Sequence, residues 1–420
     1  ANGAAVFIGW DFHCTIGALA RSEVGVWINL HAGTIAHHLP DGKRRGALSC
    51  GLCRRANVRY APAMSTKHPR IHLLGTCLLT LAMHLTVWGA PAGAGAAVTP
   101  VVNRDYLPTV LGLIHGATQS IEFIQLECND DRIMAQVEAA LAAAVQRGVA
   151  VRGLLDDGVD FNAAAVARLQ PLGVDVKLDT PAKMTHAKVV IVDGRVVLLG
   201  STNWTGNSMY NNNESNVLVA DPAIADYFAR YLATLWADSA AEPELSPLIS
   251  TAVQTVINRQ YFPEVLALFQ TATQRIHVVM YGINYSPKYA GSKVNQLVEA
   301  LAAATGRGVT VSVTMDLSDY NHTLNNVNRA AKDYLMQAGV TVFDDPLKTT
   351  THAKVIVADD AVVIGSVNWG RDALEKRNEA AVLVRDRTVA DFYADYAQRP
   401  EVSATRRHPA AKKSPPEGGD

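Results

Sequence analysis

The sequence predicts an α/β protein made of two tandem α/β/α sandwich repeats, related by a pseudo-two-fold axis, with the active site in the cleft between them. Three observations lead there. First, the chain repeats itself at a spacing of about 155 residues, too long for a solenoid and right for a duplicated domain. Asn103-Arg104-x-Tyr106-x-Pro108 returns as Asn258-Arg259-x-Tyr261-x-Pro263, and Arg147-Gly148-Val149 returns as Arg307-Gly308-Val309. Second, helical and strand patterns alternate inside each copy. Third, the strand segments are almost continuously apolar, as strands in a sheet covered on both faces must be.

The first repeat spans 97–241. A helical pattern over 107–118 is followed by an apolar strand over 121–128. The Ala-rich stretch 131–146 reads as a helix stopped by Gly148, a residue that tolerates the left-handed backbone of a helix end. Next come a strand over 149–156, a helix over 163–170 and a strand over 174–178. Two β-branched segments, 187–192 and 195–199, are joined by Asp193-Gly194, a hairpin signal. A strand over 214–219 and a helix over 223–236 close the repeat. Residues 242–251 contain Glu242-Pro243-Glu244-Leu245-Ser246-Pro247 and read as a linker. The second repeat, 252–400, follows the same plan through a strand over 276–283, a helix over 294–304, a strand over 309–315, a helix over 327–337 and a strand over 340–343. The last stretch, 401–420, is rich in Arg, Lys, Pro and Gly and reads as a disordered tail.

Before the repeats the pattern differs. Residues 1–63 hold no Met and no sustained period, and read as upstream or non-native extension. From Met64 the order is that of a secretory signal peptide over 64–96: basic Lys67 and Arg70, an apolar run over 71–87, then the small residues Ala94-Gly95-Ala96. The expectation is a secreted or periplasmic protein that begins near Ala97, the alternative being an uncleaved membrane anchor. Cys14, Cys50, Cys53 and Cys77 fall in the removable part. Cys128 is the cysteine left, in a strand, so disulfides play no part in this reading. Cys50-x2-Cys53 lacks a second ligand pair nearby, which argues against zinc.

One polar constellation occurs twice. His186, Lys188 and Asp193 form His-x-Lys-x4-Asp, and His352, Lys354 and Asp359 repeat it. Each is followed by Gly-Ser-x-Asn-Trp, giving Ser201 and Asn203 in the first copy and Ser366 and Asn368 in the second. An Asn-Glu pair closes each copy at Glu214 and Glu379. Side chains two apart in a strand leave the same face, so each His and its Lys point together. Lysine and asparagine donors suit the non-bridging oxygens of a phosphoryl group. A carboxylate on a histidine's second nitrogen fixes its tautomer and raises its basicity. Two histidines suit a two-step displacement in which one attacks and the other handles protons. Asp193 and Asp359 each end a strand beside a turn, where an aspartate satisfies its own backbone, so they read as structural.

This pattern resembles the phospholipase D superfamily, whose signature is the duplicated HKD motif; the resemblance covers about residues 98–400. It implies metal-free phosphodiester cleavage through a phosphohistidine, with no cofactor. By the resemblance His186 is the nucleophile and His352 the general acid, then the base for water or alcohol. Lys188, Lys354, Asn203 and Asn368 would hold the phosphate, Ser201 and Ser366 would support the pocket, and Glu214 and Glu379 would orient the histidines.

Charge weighs on the substrate. Residues 97–400 carry 25 Lys/Arg against 33 Asp/Glu, a net of −8. Tracking a long polyanion wants basic surface, so the leading expectation is a phospholipase-like hydrolase or transphosphatidylase. Its partners would be a phospholipid at a membrane or micelle surface and a water or alcohol acceptor, and it would act as a monomer. The alternatives are a secreted HKD-type nuclease, under which nucleic acid is the partner, and a cardiolipin-synthase-like phosphatidyltransferase. A non-catalytic binding module would have lost a motif His or Lys, and neither copy has. A zinc hydrolase would need histidine spacings that the chain after Ala97 lacks.

Overall fold

The computed structural model describes residues 97–408. The extension over 1–63, the signal peptide over 64–96, the four cysteines before Ala97 and the tail from 409 onward lie outside the described residues. Among the described residues, no helix is long and apolar enough to cross a membrane.

The first half runs Ala97–Val102 (β1), Tyr106–Gly116 (α1), Ser120–Gln125 (β2), Met134–Gln146 (α2), Ala150–Leu155 (β3), Asn162–Leu169 (α3) and Asp175–Leu178 (β4). Val189–Val192 (β5), Val196–Gly200 (β6), Ser215–Ala220 (β7) and Pro222–Ala237 (α4) complete it. The second half begins with Ile249–Ser250 (β8), Val253–Ile257 (β9), Tyr261–Thr271 (α5), Arg275–Met280 (β10), Lys293–Gly306 (α6), Thr310–Met315 (β11), His322–Gln337 (α7) and Thr341–Asp344 (β12). Lys354–Ala358 (β13), Ala361–Gly365 (β14), Arg371–Glu375 (α8), Ala380–Arg385 (β15), Arg387–Gln398 (α9) and Thr405–Arg406 (β16) follow.

Each half forms one mixed sheet. The first has seven strands in the order β1-β7-β6-β5-β2-β3-β4, and the second has nine, β16-β12-β11-β10-β13-β14-β15-β9-β8. Removing the short outer strands β16 and β8 leaves the same order twice. The strands joined by helical crossovers, β2-β3-β4 and β10-β11-β12, pair in parallel, and the motif hairpins β5-β6 and β13-β14 are antiparallel.

Burial follows the period of two. Val190 and Val192 of β5 face outward into a core shared with α1, α2 and α3, while Val189 and Ile191 face inward. The inward faces of both sheets meet in one core, with α4 and α9 wedged between them through Tyr227, Phe228, Tyr231, Tyr393 and Tyr396. Helices of the second half cover the outer face of its sheet in the same manner. The central motif strands β5, β6, β13 and β14 are buried at every position, under helices on one face and the opposite sheet on the other, which is why the alternation expected of a half-exposed strand is missing there.

Some expectations change. β1 and β9 were not legible as strands. β1 is an edge strand with Pro100 opposite Val217, and Pro is tolerated there because its missing N–H faces no neighbour. The end of the expected linker, Ile249–Ser250, pairs with Gln254 and Val253. The start of the expected disordered tail is ordered as well. Val402 is fully buried, Thr405–Arg406 pairs with Phe343 and Asp344, and Arg407 forms a salt bridge with Asp344. A single buried valine and one strand register hold this segment, a signal too short to stand out beside Pro and Gly.

Candidate active site

The segments flanking the motif strands bring the two copies together. The Thr before each His makes an isolated parallel bridge to the Asn before the opposite copy's Glu: Thr185 to Asn378, and Asn213 to Thr351. His186 N donates to Asn378 O at 2.8 Å, and His352 N donates to Asn213 O at 2.9 Å. The side chains repeat the link, with Asn378 Nδ2 donating to Thr185 Oγ1 and Asn213 Nδ2 to Thr351 Oγ1.

The histidines are paired across this junction. His186 Nδ1 lies 2.9 Å from Glu379 Oε2, and His352 Nδ1 lies 3.1 Å from both oxygens of Glu214. Each carboxylate also accepts from the serine of its own copy, Ser366 on Glu379 and Ser201 on Glu214. Lys188 and Lys354 each donate Nζ to the main-chain oxygen of their own copy's histidine. Asn203 donates Nδ2 to Glu127 at 2.9 Å, and the Oδ1 atoms of Asn203 and Asn368 are buried without a partner.

Gly200 and Gly365 let this happen. A Cβ on Gly200 would lie 2.3 Å from Ser215 O, and one on Gly365 would lie 2.4 Å from Ala381 Cβ. Only glycine lets the strand end approach its neighbour closely enough to turn the Ser and Asn back onto the site. The following Trp anchors that turn from below: Trp204 Nε1 donates to Tyr106 OH and Trp369 Nε1 to Tyr261 OH.

The glutamates are clamped from behind. Asn103 Oδ1 accepts from Glu214 N at 2.9 Å, and Asn258 Oδ1 accepts from Glu379 N at 2.8 Å. Both asparagines hold left-handed backbone, φ 53° and 48°, a conformation Asn tolerates better than most residues. Tyr396 of α9 donates to Asn103, and Tyr231 of α4 donates to Asn258, so each half's closing helix supports the other half's glutamate.

Electrostatics follow from burial. Burial pushes the His186 imidazole down to about 3, against the pull of Glu379 and with the help of Lys188. His352 is lowered for the same reason, with Glu214 opposing and Lys354 assisting. Burial also depresses Lys188 to about 8 and Lys354 to about 7. For Glu214 and Glu379 burial acts upward, but the facing histidine, lysine and serine outweigh it and hold both carboxyls below their ordinary range. The resting His186 is thus a neutral imidazole that donates Nδ1–H to the ionised Glu379 and leaves Nε2 bare to attack a substrate.

Asp193 and Asp359 stand at the far ends of the motif strands, about 16 Å along the chain from Lys188 and Lys354 at the rise of a strand. Asp193 accepts from the backbone N–H groups of Thr118, Gln119 and Ser120, and Asp359 from those of Thr273, Gln274 and Arg275. Those bonds hold both carboxyls down despite partial burial. They tie the hairpin to the start of the neighbouring strand and touch no other motif residue.

Several residues at the site were not singled out from sequence. Thr185, Thr351, Asn213 and Asn378 recur at matched positions, and that recurrence was a usable signal. So did Asn103 and Asn258, noticed as marks of the repeat without a role. Buried acid pairs back the threonines: Asp156 accepts from Thr185 N, and Asp316 and Asp345 both accept from Thr351 N. Glu127 and Tyr281 break the repeat and carried no signal. Tyr281 stacks edge-on against His352 at 4.8 Å and lies under Lys354.

Comparison with known proteins agrees with this geometry. Residues 110–236 and 265–399 each match the family model described as cardiolipin synthase, PLD-like domain. The chain is 24% identical over 318 residues to cardiolipin synthase B of Shigella flexneri, covering 68% of this chain and 75% of that one, with the same figures for Escherichia coli K12. It is 31% identical over 149 residues to a mitochondrial cardiolipin hydrolase of Canis lupus familiaris, covering 35% of this chain and 56% of that one. The fold resembles phosphatidylserine synthase of Haemophilus influenzae, with a TM-score of 0.61 at 12% identity over 74% of this chain and 87% of that one. The two matched segments are the two halves that meet at His186 and His352, and the chain belongs to the phospholipase D-like domain family.

Proposed function

We propose that this chain is a phosphatidyltransferase of the cardiolipin-synthase kind, working through a covalent phosphohistidine. The observation that carries the reading is the crossed pairing of His186 with Glu379 and of His352 with Glu214. It aims two oriented imidazoles into one cleft. In the first step His186 Nε2 attacks phosphorus, the bond from phosphorus to the head-group oxygen breaks, and His352 gives that oxygen its proton. In the second, His352 takes the proton of an acceptor hydroxyl, the new P–O bond forms, and the P–N bond to His186 breaks. Lys188, Lys354, Asn203 and Asn368 steady the non-bridging oxygens.

Transfer now stands ahead of hydrolysis, the leading expectation from sequence. The relatives that span both halves are named synthases, whereas the named hydrolase matches about a third of the chain. The burial of His186, 4% exposed, also favours a phosphoenzyme shielded from bulk water.

The test uses phospholipid micelles with an added alcohol. Phosphatidyl-alcohol should exceed phosphatidic acid among the products, and His186→Ala should yield neither. Phosphatidic acid as the sole product makes the protein a hydrolase. His186-dependent loss of DNA, with no lipid turned over, makes it a nuclease.

A further inference from the structure

We propose that the cavity on the His352 side of the cleft is a head-group pocket for a primary ammonium, with Glu127 as the residue that reads its charge. This inference rests on the phosphatidyl-transfer reading above. The cavity measures about 330 Å³, and its wall includes Glu127, Asn129, Phe161, Asn203, Tyr281 and His352. A small amino alcohol fits that space. His352 opens onto it and His186 is not part of its wall. In an in-line displacement the leaving oxygen departs on the side opposite the nucleophile. The group whose oxygen receives the His352 proton therefore fills this cavity, first as the leaving head group and then as the acceptor.

The Glu127 carboxylate is out of place in a site for an anionic diester. It accepts from Asn203, an amide positioned for a phosphate oxygen, and among the described residues it has no salt bridge to any Lys or Arg. Its charge is felt by Lys188, one of the ammonium groups assigned to the phosphate, and so opposes an anionic diester at the point where the phosphate is held, whereas a substrate that carries its own cation offsets it. A zwitterionic amino-alcohol phosphodiester does so; a glycerol phosphodiester does not. The amide oxygens of Asn129 and Asn203 in the same wall are without partners, and Phe161, 40% exposed, offers an aromatic surface beside the carboxylate. Both features suit an N–H-bearing cation.

The duplication supplies an internal control. Glu127 O accepts from Trp204 N at 3.0 Å, and at the matching place in the second half Gly282 O accepts from Trp369 N at 3.0 Å. The fold makes the same main-chain contact with no side chain at all. The carboxylate is therefore not required by the architecture, and it sits in the half whose wall faces His352.

Mixed micelles of phosphatidylethanolamine or phosphatidylglycerol as donor, with ethanol as acceptor, give kcat/KM for phosphatidylethanol formation from each. The wild type should favour the ethanolamine lipid by about tenfold or more, the scale of discrimination one charged contact supplies. Glu127→Gln keeps an acceptor for Asn203 and removes the charge, so the ratio should shrink about tenfold; Glu127→Lys should invert it. A wild type indifferent to head group, or a Glu127→Gln that slows both donors equally, overturns the inference. The same holds if bis(p-nitrophenyl) phosphate is cleaved in a His186-dependent way while neither lipid reacts, an outcome that leaves the phosphohistidine chemistry standing. If no diester is cleaved with dependence on His186, the transfer reading itself fails.

Discussion

Glu379 belongs to the second repeat and His186 to the first, yet the Glu379 carboxylate lies 2.9 Å from His186 Nδ1, across 193 residues of sequence. Neither repeat contains a complete oriented histidine. The exchange is mutual, because Glu214 serves His352. Cutting the chain into its halves therefore divides both histidine–carboxylate pairs.

The exchange predicts which mutants share a phenotype. Glu379→Gln should resemble His186→Ala, with little phosphoenzyme formed and kcat reduced by about 10²–10⁴, the usual range for losing an imidazole's orienting partner or its proton transfer. Glu214→Gln should resemble His352→Ala: with a good leaving group the phosphoenzyme forms and persists, because its base is lost. Acid-quenched samples resolved by peptide mapping should show the phosphate on His186. Phosphate on His352, or persistent phosphoenzyme in Glu379→Gln, would reverse the assignment of roles.

The pH profile of kcat/KM should be bell-shaped with an early alkaline limb. Lys354, depressed to about 7, and Lys188, depressed to about 8, lose their positive charge as pH rises through those values, and with it their hold on the phosphate. His352 adds to the same limb, since its lowered imidazole gives up the proton needed by the leaving group. On the acid side His186, pushed down to about 3, stays neutral and nucleophilic until pH falls well below 5. Activity that holds flat to pH 9.5 would contradict buried lysines as the phosphate holders.

Turnover should survive EDTA. The site already holds two imidazoles, two ammonium groups and two amides from Lys188, Lys354, Asn203 and Asn368, which supply both a nucleophile and positive charge for the transition state. Loss of activity in chelator, restored by a divalent cation, would place a metal in the reaction.

Stability should fall at alkaline pH through the acid pair behind His352. Burial and the neighbouring Asp316 raise the Asp345 carboxyl to about 8. An acid raised above its unfolded value stabilises the fold at low pH and loses that contribution as pH rises through its folded value. Asp316→Asn supplies the donor that the shared proton provides and removes one of the two charges. The drop in Tm between pH 6 and pH 9 should then be smaller than in the wild type by about 2 °C or more. A mutant with an unchanged slope would show that this pair does not titrate in that window.

Much of the fold was legible because its signals are local. The helix ends at Gly148 and Gly308, the apolar strands and the Asp193-Gly194 hairpin each depend on a few adjacent residues, and the duplication repeated the helix and strand readings, though the second hairpin turns at Asp359-Asp360. β1 and β9 escaped because their strand character comes from pairing with β7 and β15, partners more than a hundred residues away. The ordered start of the tail escaped for the same reason, since Thr405 and Arg406 become a strand only against Asp344 and Phe343.

The site divides along the same line. The sequence by itself determined the chemical inventory: two His-Lys pairs, two Ser, two Asn, two Glu and the order in which they occur. It could not say which Glu serves which His, because in a duplicated sequence the pairing within a copy and the pairing across copies use identical residue types at identical spacings. The tertiary structure decided that question when the inner sheet faces closed over α4 and α9 and the Thr185–Asn378 and Asn213–Thr351 bridges brought the strand ends together. A carboxylate reaches across that junction because burying it without a partner is costly, and the opposing imidazole is the donor placed within hydrogen-bond distance. Glu127 and Tyr281, which have no matched copy, acquire a place in the cleft only from that closure.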